Sequence, residues 1–305
     1  MTPDGAAHLI DAHVHLMTPE RTASGIRWIR RVVPDYQALP ETTTAVEVLA
    51  HVEAAGAEVV FSLFYPLRGG ESRRINRWHS RFAGWAARRP GGGAKVVAFA
   101  SVHPDDDDPG RVAEEALGTL DLAGLKLHPY VQRLDPLDPR LSPALAAAQE
   151  SGRPLIIHTG FAAFYGQPDL AAAVFALAER YPRLRIVAAH LLYPELPLGA
   201  WPRYLERYPN LYLDATNVLS VAGPGTPDGE SLARLLDVWS HRFVFGSDHP
   251  MGMAYPVDKL YTLARAAVPT DRAREDLLWR TAAGLVERRR LPEALARDLE
   301  GPAGP

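Results

Sequence analysis

The sequence predicts an α/β protein in which eight parallel strands alternate with helices, the (β/α)8 or TIM barrel. Eight short, mainly apolar runs recur along the chain, as expected of strands buried on both faces of a parallel sheet. Segments with the helical spacing of apolar residues separate these runs. In chain order the runs are LIDAHVH, EVVFSLFYP, KVVAFASVHP, GLKLHP, PLIIHTG, RIVAAHLL, NLYLDATN and FVFGSDHP.

The segments between the strands carry helix signals. In TTTAVEVLAHVEAAGA a threonine run precedes Val46, Leu49 and Val52, which have helical spacing. Four further segments behave similarly, namely PDLAAAVFALAERYP, GESLARLLDVWSHR, VDKLYTLARAA and TDRAREDLLWRTAAGLVERR. An open, doubly wound sheet is the competing fold. It typically has a Gly-rich turn after the first strand, where this chain has HVHLMTPE.

We expect a single domain over residues 1–305, with a core of about residues 8–290. The long link between the first two strands, roughly residues 17–55, contains WIRRVVPDYQALP. A connection of this length inside a compact barrel is typical of a lid or a substrate loop.

Composition excludes several classes of partner and site. The formal net charge is −3 with both signs interspersed, so no nucleic-acid partner is expected. The chain has no cysteine, so any metal must be held by His, Asp, Glu or a modified Lys. The first residues show no signal-peptide pattern, and no apolar run approaches a membrane span. We therefore expect a cytoplasmic protein without a membrane partner, acting on a small molecule.

Two histidines near the start of the chain suggest a metal site. Residues i and i+2 of a strand point to one face, so His13 and His15 share a face that Val14 does not. Two adjacent imidazoles are costly in a core, because each buried ring needs a hydrogen-bond partner. Neutral imidazole is a good ligand for zinc, iron, nickel and copper. The alternative is a pair of hydrogen-bonded core histidines.

Histidines cluster where a barrel has its active site, at the C-terminal ends of the strands. Of the eleven histidines, seven lie at or just after a predicted strand end. Chance would place roughly one there, since these positions make up about a tenth of the chain. The seven are His13, His15, His103, His128, His158, His190 and His249. Asp248 also lies at the end of the last predicted strand.

Five ordered motifs make the sequence resemble the amidohydrolase superfamily, most closely its amidohydrolase-related (family 2) branch. They are IDAHVHL, GLKLHP, LIIHTG, AAHL and FGSDHP, over about residues 10–250. The resemblance implies that His13, His15, His158 and Asp248 bind a divalent metal. It also implies that Asp248 accepts a proton from the water that the metal activates. A buried strand-end histidine and a helix N-cap aspartate are the structural alternatives for His158 and Asp248.

The resemblance leaves the roles of His190 and Lys126 open. In two-metal relatives the histidine of strand six binds the second ion, whereas in single-metal decarboxylases it is a catalytic acid or base. In GLKLHP, Lys126 and His128 share one strand face, and a lysine in a barrel mouth must be paired or neutralised. In dihydroorotase-like relatives the strand-four lysine is carboxylated and bridges two metals. The alternative for Lys126 is pairing with an acid or with an anionic substrate.

Other side chains near the strand ends are candidates for substrate contact. His103, His128 and His249 could bind substrate or hydrogen-bond the ligands, but each precedes a proline and could instead position a turn. The arginines that could meet a substrate carboxylate after strand two are Arg68, Arg73 and Arg74. The aromatic residues that could form a wall after strand five are Phe161, Phe164 and Tyr165.

We therefore expect an enzyme, a metal-dependent hydrolase that cleaves an amide, lactone or ester bond of a small, carboxylated molecule with a metal-activated water. Zinc is the expected ion because the ligands are N and O donors without thiolates, and manganese is the alternative; one or two ions fit. The competing reaction is metal-dependent, non-oxidative decarboxylation of an aromatic or muconate-like acid. A non-catalytic, metal-storing barrel is a third hypothesis. The resemblance also allows a homodimer.

Overall fold

The strands of the barrel appear in the predicted order. The structure is a computed structural model that describes residues 8–33, 36, 39–252 and 257–300. In these residues the strands are β1 (Ile10–Val14), β2 (Val59–Leu63), β3 (Lys95–Phe99), β4 (Leu125–Leu127), β5 (Leu155–His158), β6 (Ile186–Ala189), β7 (Leu211–Asp214) and β8 (Phe243–Val244). They lie almost wholly buried, as their continuous apolar runs require.

The strands close into a parallel barrel. Parallel ladders join β1, β2 and β3 in one sheet and β4 to β8 in another, each in sequence order. Parallel bridges close the two remaining gaps, between Ala100 and Leu125 and between Val14 and His249. The amide of Asp248 also donates to the carbonyl of His13 at 2.7 Å. The predicted (β/α)8 barrel is therefore confirmed. The first and last strands of the barrel meet at the candidate metal ligands His13 and Asp248.

Helices follow the strands and cover the barrel. The described α-helices are α1 (Pro19–Val32), α2 (Ala45–Ala54), α3 (Ser72–Ala86), α4 (Pro109–Glu114), α5 (Pro129–Gln132), α6 (Ser142–Glu150), α7 (Ala162–Tyr165), α8 (Ala171–Arg180), α9 (Trp201–Arg207), α10 (Val218–Val221), α11 (Gly229–Trp239), α12 (Val257–Ala266), α13 (Asp271–Glu275), α14 (Thr281–Leu285) and α15 (Glu293–Asp298). The predicted threonine cap is present, since Thr44 and Glu47 form a capping box at α2. None of these described helices is long and apolar enough to cross a membrane.

Two segments differ from the sequence-based expectation. The helix predicted over residues 270–289 contains a π-helical turn at Asp276–Arg280 and ends at Leu285. It ends there because Val286 turns extended and buries its side chain. The link between β1 and β2 contains α1 and α2. Within the predicted lid segment, residues 34–35 and 37–38 lie outside the described residues.

Close packing behind the metal ligands explains one glycine. A Cβ added at Gly246, just after β8, would overlap the Cβ of His13 and the Oγ1 of Thr216. We expect Gly246→Ala to destabilise the fold by about 1–3 kcal/mol, because this crowded position cannot absorb a methyl group. Urea unfolding would measure the change. The matched control is Gly284→Ala in α14, where an added Cβ meets nothing within 4 Å and should stabilise by about 0.5–1 kcal/mol. Equal stability of the two variants would contradict this packing argument.

Candidate metal centre

The two histidines at the end of β1, His13 within the strand and His15 just after it, direct their Nδ1 atoms toward hydrogen-bond acceptors. The Nδ1 atom of His15 is 2.7 Å from the carbonyl oxygen of Leu63, which can only accept, so Nδ1 carries the hydrogen. The Nδ1 atom of His13 is 2.6 Å from Oδ2 of Asp214 and donates to it. Burial holds the pKa of His13 well below its usual value, and the charge of Lys126 lowers it further. His13 is therefore neutral, and its Nε2 atom carries a lone pair.

Asp248 completes a compact group with these two histidines. Its Oδ1 atom lies 2.8 Å from Nε2 of His15 and 3.5 Å from Nε2 of His13. Burial alone would raise the pKa of Asp248, but the hydrogen bond with Nε2 of His15 opposes this effect and the pKa lies below its usual value, so the carboxylate is ionised. The carboxylate is held in place by Asn217, whose Nδ2 atom donates to Oδ2 at 2.8 Å. Asp248 has a left-handed backbone, with φ of 58°.

The donor set of this group fits a divalent cation. The ligand atoms of His13, His15 and Asp248 all lie within 4.8 Å of one another and are buried. By the tautomer given above, Nε2 of His13 is an acceptor, and it has no hydrogen-bond partner in the described structure. A buried lone pair that has no partner and lies 3.5 Å from a carboxylate oxygen is unfavourable unless a cation lies between the two atoms. Two imidazoles and a carboxylate are ligands that zinc accepts readily.

Asp214 orients the first ligand. It ends β7, and its Oδ1 atom accepts from the backbone amide of Thr216 at 2.9 Å, which leaves Oδ2 for His13. A carboxylate that receives the second ring hydrogen of a metal-binding histidine fixes both its tautomer and its orientation. Sequence reasoning missed Asp214, although it occupies the same strand-end position as the other candidates.

The hydrogen bond between His13 and Asp214 allows the effect of replacing Asp214 to be predicted. Asp214→Asn should weaken zinc binding by about 10–100-fold, because an amide can turn its NH2 toward His13 and favour the wrong tautomer. Competition with a chromophoric chelator would measure the dissociation constant. Asp237→Asn, at an exposed position on α11, is the matched control and should leave it unchanged. Unaltered zinc affinity in Asp214→Asn would show that this carboxylate does not support the ligand.

His158 and His190 lie next to the compact group and are bonded to each other. The Nδ1 atom of His190 donates to the carbonyl of Thr216 at 3.0 Å, so its Nε2 atom accepts from Nδ1 of His158 at 3.1 Å. Burial lowers the pKa of both rings. The Nε2 atom of His158 is consequently a buried acceptor without a partner among the described residues. His158 can thus donate a lone pair to a cation, although it is not part of the three-residue group, and its role as a ligand stays a prediction.

Lys126 lies in the same interior with its amine unpaired. Its side chain is fully buried, and Nζ has no hydrogen-bond partner in the described structure. Burial lowers the pKa of Lys126 to about 8, against the opposing charges of Asp248 and Asp214. The neutral amine is the form that reacts with carbon dioxide, and the lowered pKa raises its fraction at neutral pH. Carboxylation of Lys126 therefore remains a hypothesis.

The three weaker histidine candidates have different environments. His128 lines the cavity described below, and its ring stacks on His158 with centroids 3.7 Å apart. His103 instead accepts from the amide of Asp105 at 3.1 Å. His249 lies 3.1 Å from Nδ1 of His51. Among the described residues neither His103 nor His249 lines the cavity, and these contacts fit positioning of a loop.

An aromatic cavity of about 390 Å³ opens above the metal ligands. This volume lies within the range of about 300–1,000 Å³ for small-molecule sites. The predicted aromatic wall is present, and Trp28 of α1, which sequence reasoning missed, stacks on Tyr165 with centroids 5.2 Å apart. The lining includes five site residues and six aromatic residues, namely His15, His128, His158, His190, Asp248, Trp28, Tyr65, Tyr130, Phe161, Phe164 and Tyr165.

The arginines predicted to meet a substrate carboxylate lie elsewhere. Arg68 binds Glu71 at 3.2 Å, and Arg74 is 3.9 Å from the same carboxylate. Arg73 binds Glu115 at 3.1 Å. In the part of the chain that the structure describes, none of the three lines the cavity. Loop position after a strand was too weak a signal, because it does not specify which way a long side chain turns.

The sequence and the fold both have recognisable relatives. Residues 10–288 match the family model described as amidohydrolase, Amidohydro_2. The comparison with curated proteins gave no significant match. An uncharacterised TIM-barrel protein from Bordetella bronchiseptica is 20% identical, with 95% of this chain and 99% of that chain covered, at a TM-score of 0.65.

Two further similar structures are named as enzymes. The 5-carboxyvanillate decarboxylase LigW of Sphingomonas paucimobilis is 14% identical, with 93% of this chain and 99% of that chain covered, at a TM-score of 0.64. A putative 2-pyrone-4,6-dicarboxylic acid hydrolase from Pseudomonas putida is 18% identical, with 91% and 97% covered, at a TM-score of 0.61. Because both kinds of enzyme share the fold, the fold does not select the reaction. The match over most of its length shows that this chain belongs to the amidohydrolase family, with the TIM-barrel fold of that superfamily.

Proposed function

We propose that this protein is a metal-dependent hydrolase that cleaves an amide, lactone or ester bond of a small, carboxylated molecule. The observation that carries the proposal is the convergence of potential metal-ligand atoms from His13, His15 and Asp248 beside an aromatic cavity. Zinc is the proposed ion, with Nε2 of His158 as a further ligand. Manganese is the alternative ion.

The bound ion would supply Lewis acidity, polarising a carbonyl and lowering the pKa of water from about 15.7 to about 7. The protein side chains would supply the rest. Asp248 is ionised, so it can take a proton from the attacking water and pass it to the leaving group. Asn217 keeps the carboxylate oriented while the proton moves. The aromatic wall limits the access of bulk water and favours a flat substrate.

The number of ions depends on His158, His190 and Lys126. A carboxylated Lys126 with both histidines on a second ion would give a two-ion hydrolase. The direct bond between His158 and His190 favours one ion instead, because it turns their ring nitrogens toward each other. The compact group found among the described residues likewise has three members.

The His158–His190 bond supports decarboxylation as the second candidate reaction. With one ion, His190 is not needed as a ligand and would act as an acid or base beside the site. The C–C bond to the carboxylate would break with its electrons kept on the substrate carbon, releasing carbon dioxide. His190 or Asp248 would deliver the proton that takes its place.

The first test is metal content, measured on protein purified without chelators or a metal-affinity column. About one ion per chain supports the mononuclear site, and about two supports carboxylated Lys126. No metal, after zinc and manganese have been offered back, would overturn the proposal. A panel of esters, lactones and amides, run beside carbon dioxide release from hydroxybenzoates, separates the two reactions. Metal-loaded protein that is inert on every panel would support the metal-storing alternative.

A further inference from the structure

Among the described residues two arginines line the cavity, and only one of them has an ionic partner in the protein. Arg21, on α1, donates to Oε2 of Glu71 at 2.6 Å, and both side chains are largely buried. The guanidinium of Arg133 is exposed and has no ion-pair or hydrogen-bond partner in the described structure. The charge of Arg21 is thus already neutralised by the protein, whereas that of Arg133 is available to a ligand.

Arg133 is carried by a rigid turn. It follows α5 in a left-handed conformation with φ of 54°, which an arginine adopts less readily than glycine. The adjoining Gln132 is buried, accepts from the amide of His128 at 2.7 Å and donates to the carbonyl of Val102 at 3.0 Å. Gln167 donates to the carbonyl of Tyr130 at 3.0 Å. The backbone below Arg133 is therefore held in place, which reduces the entropy lost when the guanidinium binds.

The charges that line the cavity favour an anion at the part of the cavity next to Arg133. Asp248 is the carboxylate among the described lining residues, and the proposed ion would neutralise it. A single planar guanidinium matches a carboxylate through two parallel N–H donors, whereas phosphate sites generally gather several donors. His128 and Tyr130, which lie close to Arg133 in the chain, also line the cavity. Arg133 and the candidate metal ligands therefore border the same cavity.

We infer that Arg133 is a specificity-determining residue that binds a substrate carboxylate remote from the reacting bond. This inference rests on the proposed function, and it narrows the substrate class to flat acids with an anionic group at each end. One end would lie at the metal ligands and the other at Arg133.

The test compares two non-hydrolysable probes on zinc-loaded protein by calorimetry. Isophthalate has two carboxylates, and 3-acetylbenzoate replaces one of them with a neutral ketone of similar shape. We expect wild-type protein to bind isophthalate roughly tenfold more tightly. Arg133→Met should abolish this preference, and Arg133→Lys should retain part of it. Both variants change an exposed side chain and should unfold at the wild-type temperature.

Three outcomes would overturn the inference. They are equal binding of the two probes by wild-type protein, binding of neither probe, and loss of the preference in Arg21→Met but not in Arg133→Met. The proposed function has a separate failure, which is the absence of zinc from the same samples or of turnover on the substrate panels. The binding comparison can therefore fail while the hydrolase proposal stands.

Discussion

His13→Gln is expected to remove nearly all bound zinc and to lower kcat/KM by at least about 10³-fold. The reason is that His13 provides a neutral, oriented Nε2 atom in the only compact group of potential metal ligands found among the described residues. Losing the ion would remove several kcal/mol of transition-state stabilisation, and each 1.36 kcal/mol is about tenfold in rate. Elemental analysis and steady-state kinetics would measure both effects.

A control substitution tests whether the effect is specific to His13 or follows from replacing any histidine. His241→Gln changes an exposed histidine after α11 and should leave metal content and kinetics at wild-type values. Near-ultraviolet circular dichroism would show whether His13→Gln keeps its tertiary packing. A folded His13→Gln protein with full metal and full activity would refute the assignment of the site.

Lys126→Met is expected to stabilise the metal-free protein while removing activity. A lysine pKa that falls from 10.5 in the unfolded chain to about 8 in the folded state costs about 3 kcal/mol, because burial disfavours the charge. Methionine has a similar volume and no charge, so we expect a gain of about 1–3 kcal/mol at pH 7. The rate should fall by at least about 10²-fold, since the cation facing Asp248 is lost.

The stabilisation expected of Lys126→Met should decrease as the pH rises. Between about pH 8 and 10.5 the unfolded chain binds more protons at Lys126 than the folded protein does, so folding stability rises with pH across this window. The advantage of Lys126→Met should therefore be full below about pH 8 and shrink toward pH 10. Urea unfolding at pH 7 and pH 9.5 would measure it. Lys259→Met, at an exposed position on α12, should change stability by less than about 0.5 kcal/mol. Destabilisation by Lys126→Met at pH 7 would show that the amine has a partner in the folded protein.

The fold and part of the site could be predicted from the sequence because both produce local sequence patterns. Strands buried on two faces require continuous apolar runs, and eight such runs in alternation with helices define the barrel. The fold also dictates that strand ends meet on one face, so His13, His15 and Asp248 could be grouped although they are far apart in the chain. The same rule applied to β7 would have found Asp214.

Other features could not be predicted because they depend on directions of side chains across the barrel. The 2.6 Å contact between His13 and Asp214 joins residues 201 positions apart, and only closure of the barrel brings them together. The bond between His158 and His190 likewise depends on the registry of β5 and β6. The position of Trp28 over Tyr165 depends on how α1 folds back across the cavity.

The sequence by itself determined the fold class, the end of the barrel that carries the site, and the exclusion of thiolate ligands. These follow from the periodicity of apolar residues and from composition, which are properties of the chain alone. The tertiary structure decided which strand-end histidines face the cavity, which ring nitrogens carry lone pairs, and which of the two described cavity arginines has no ionic partner. Each of these depends on partners supplied by distant segments, because hydrogen bonds and ion pairs are set by packing and not by the spacing of residues along the chain.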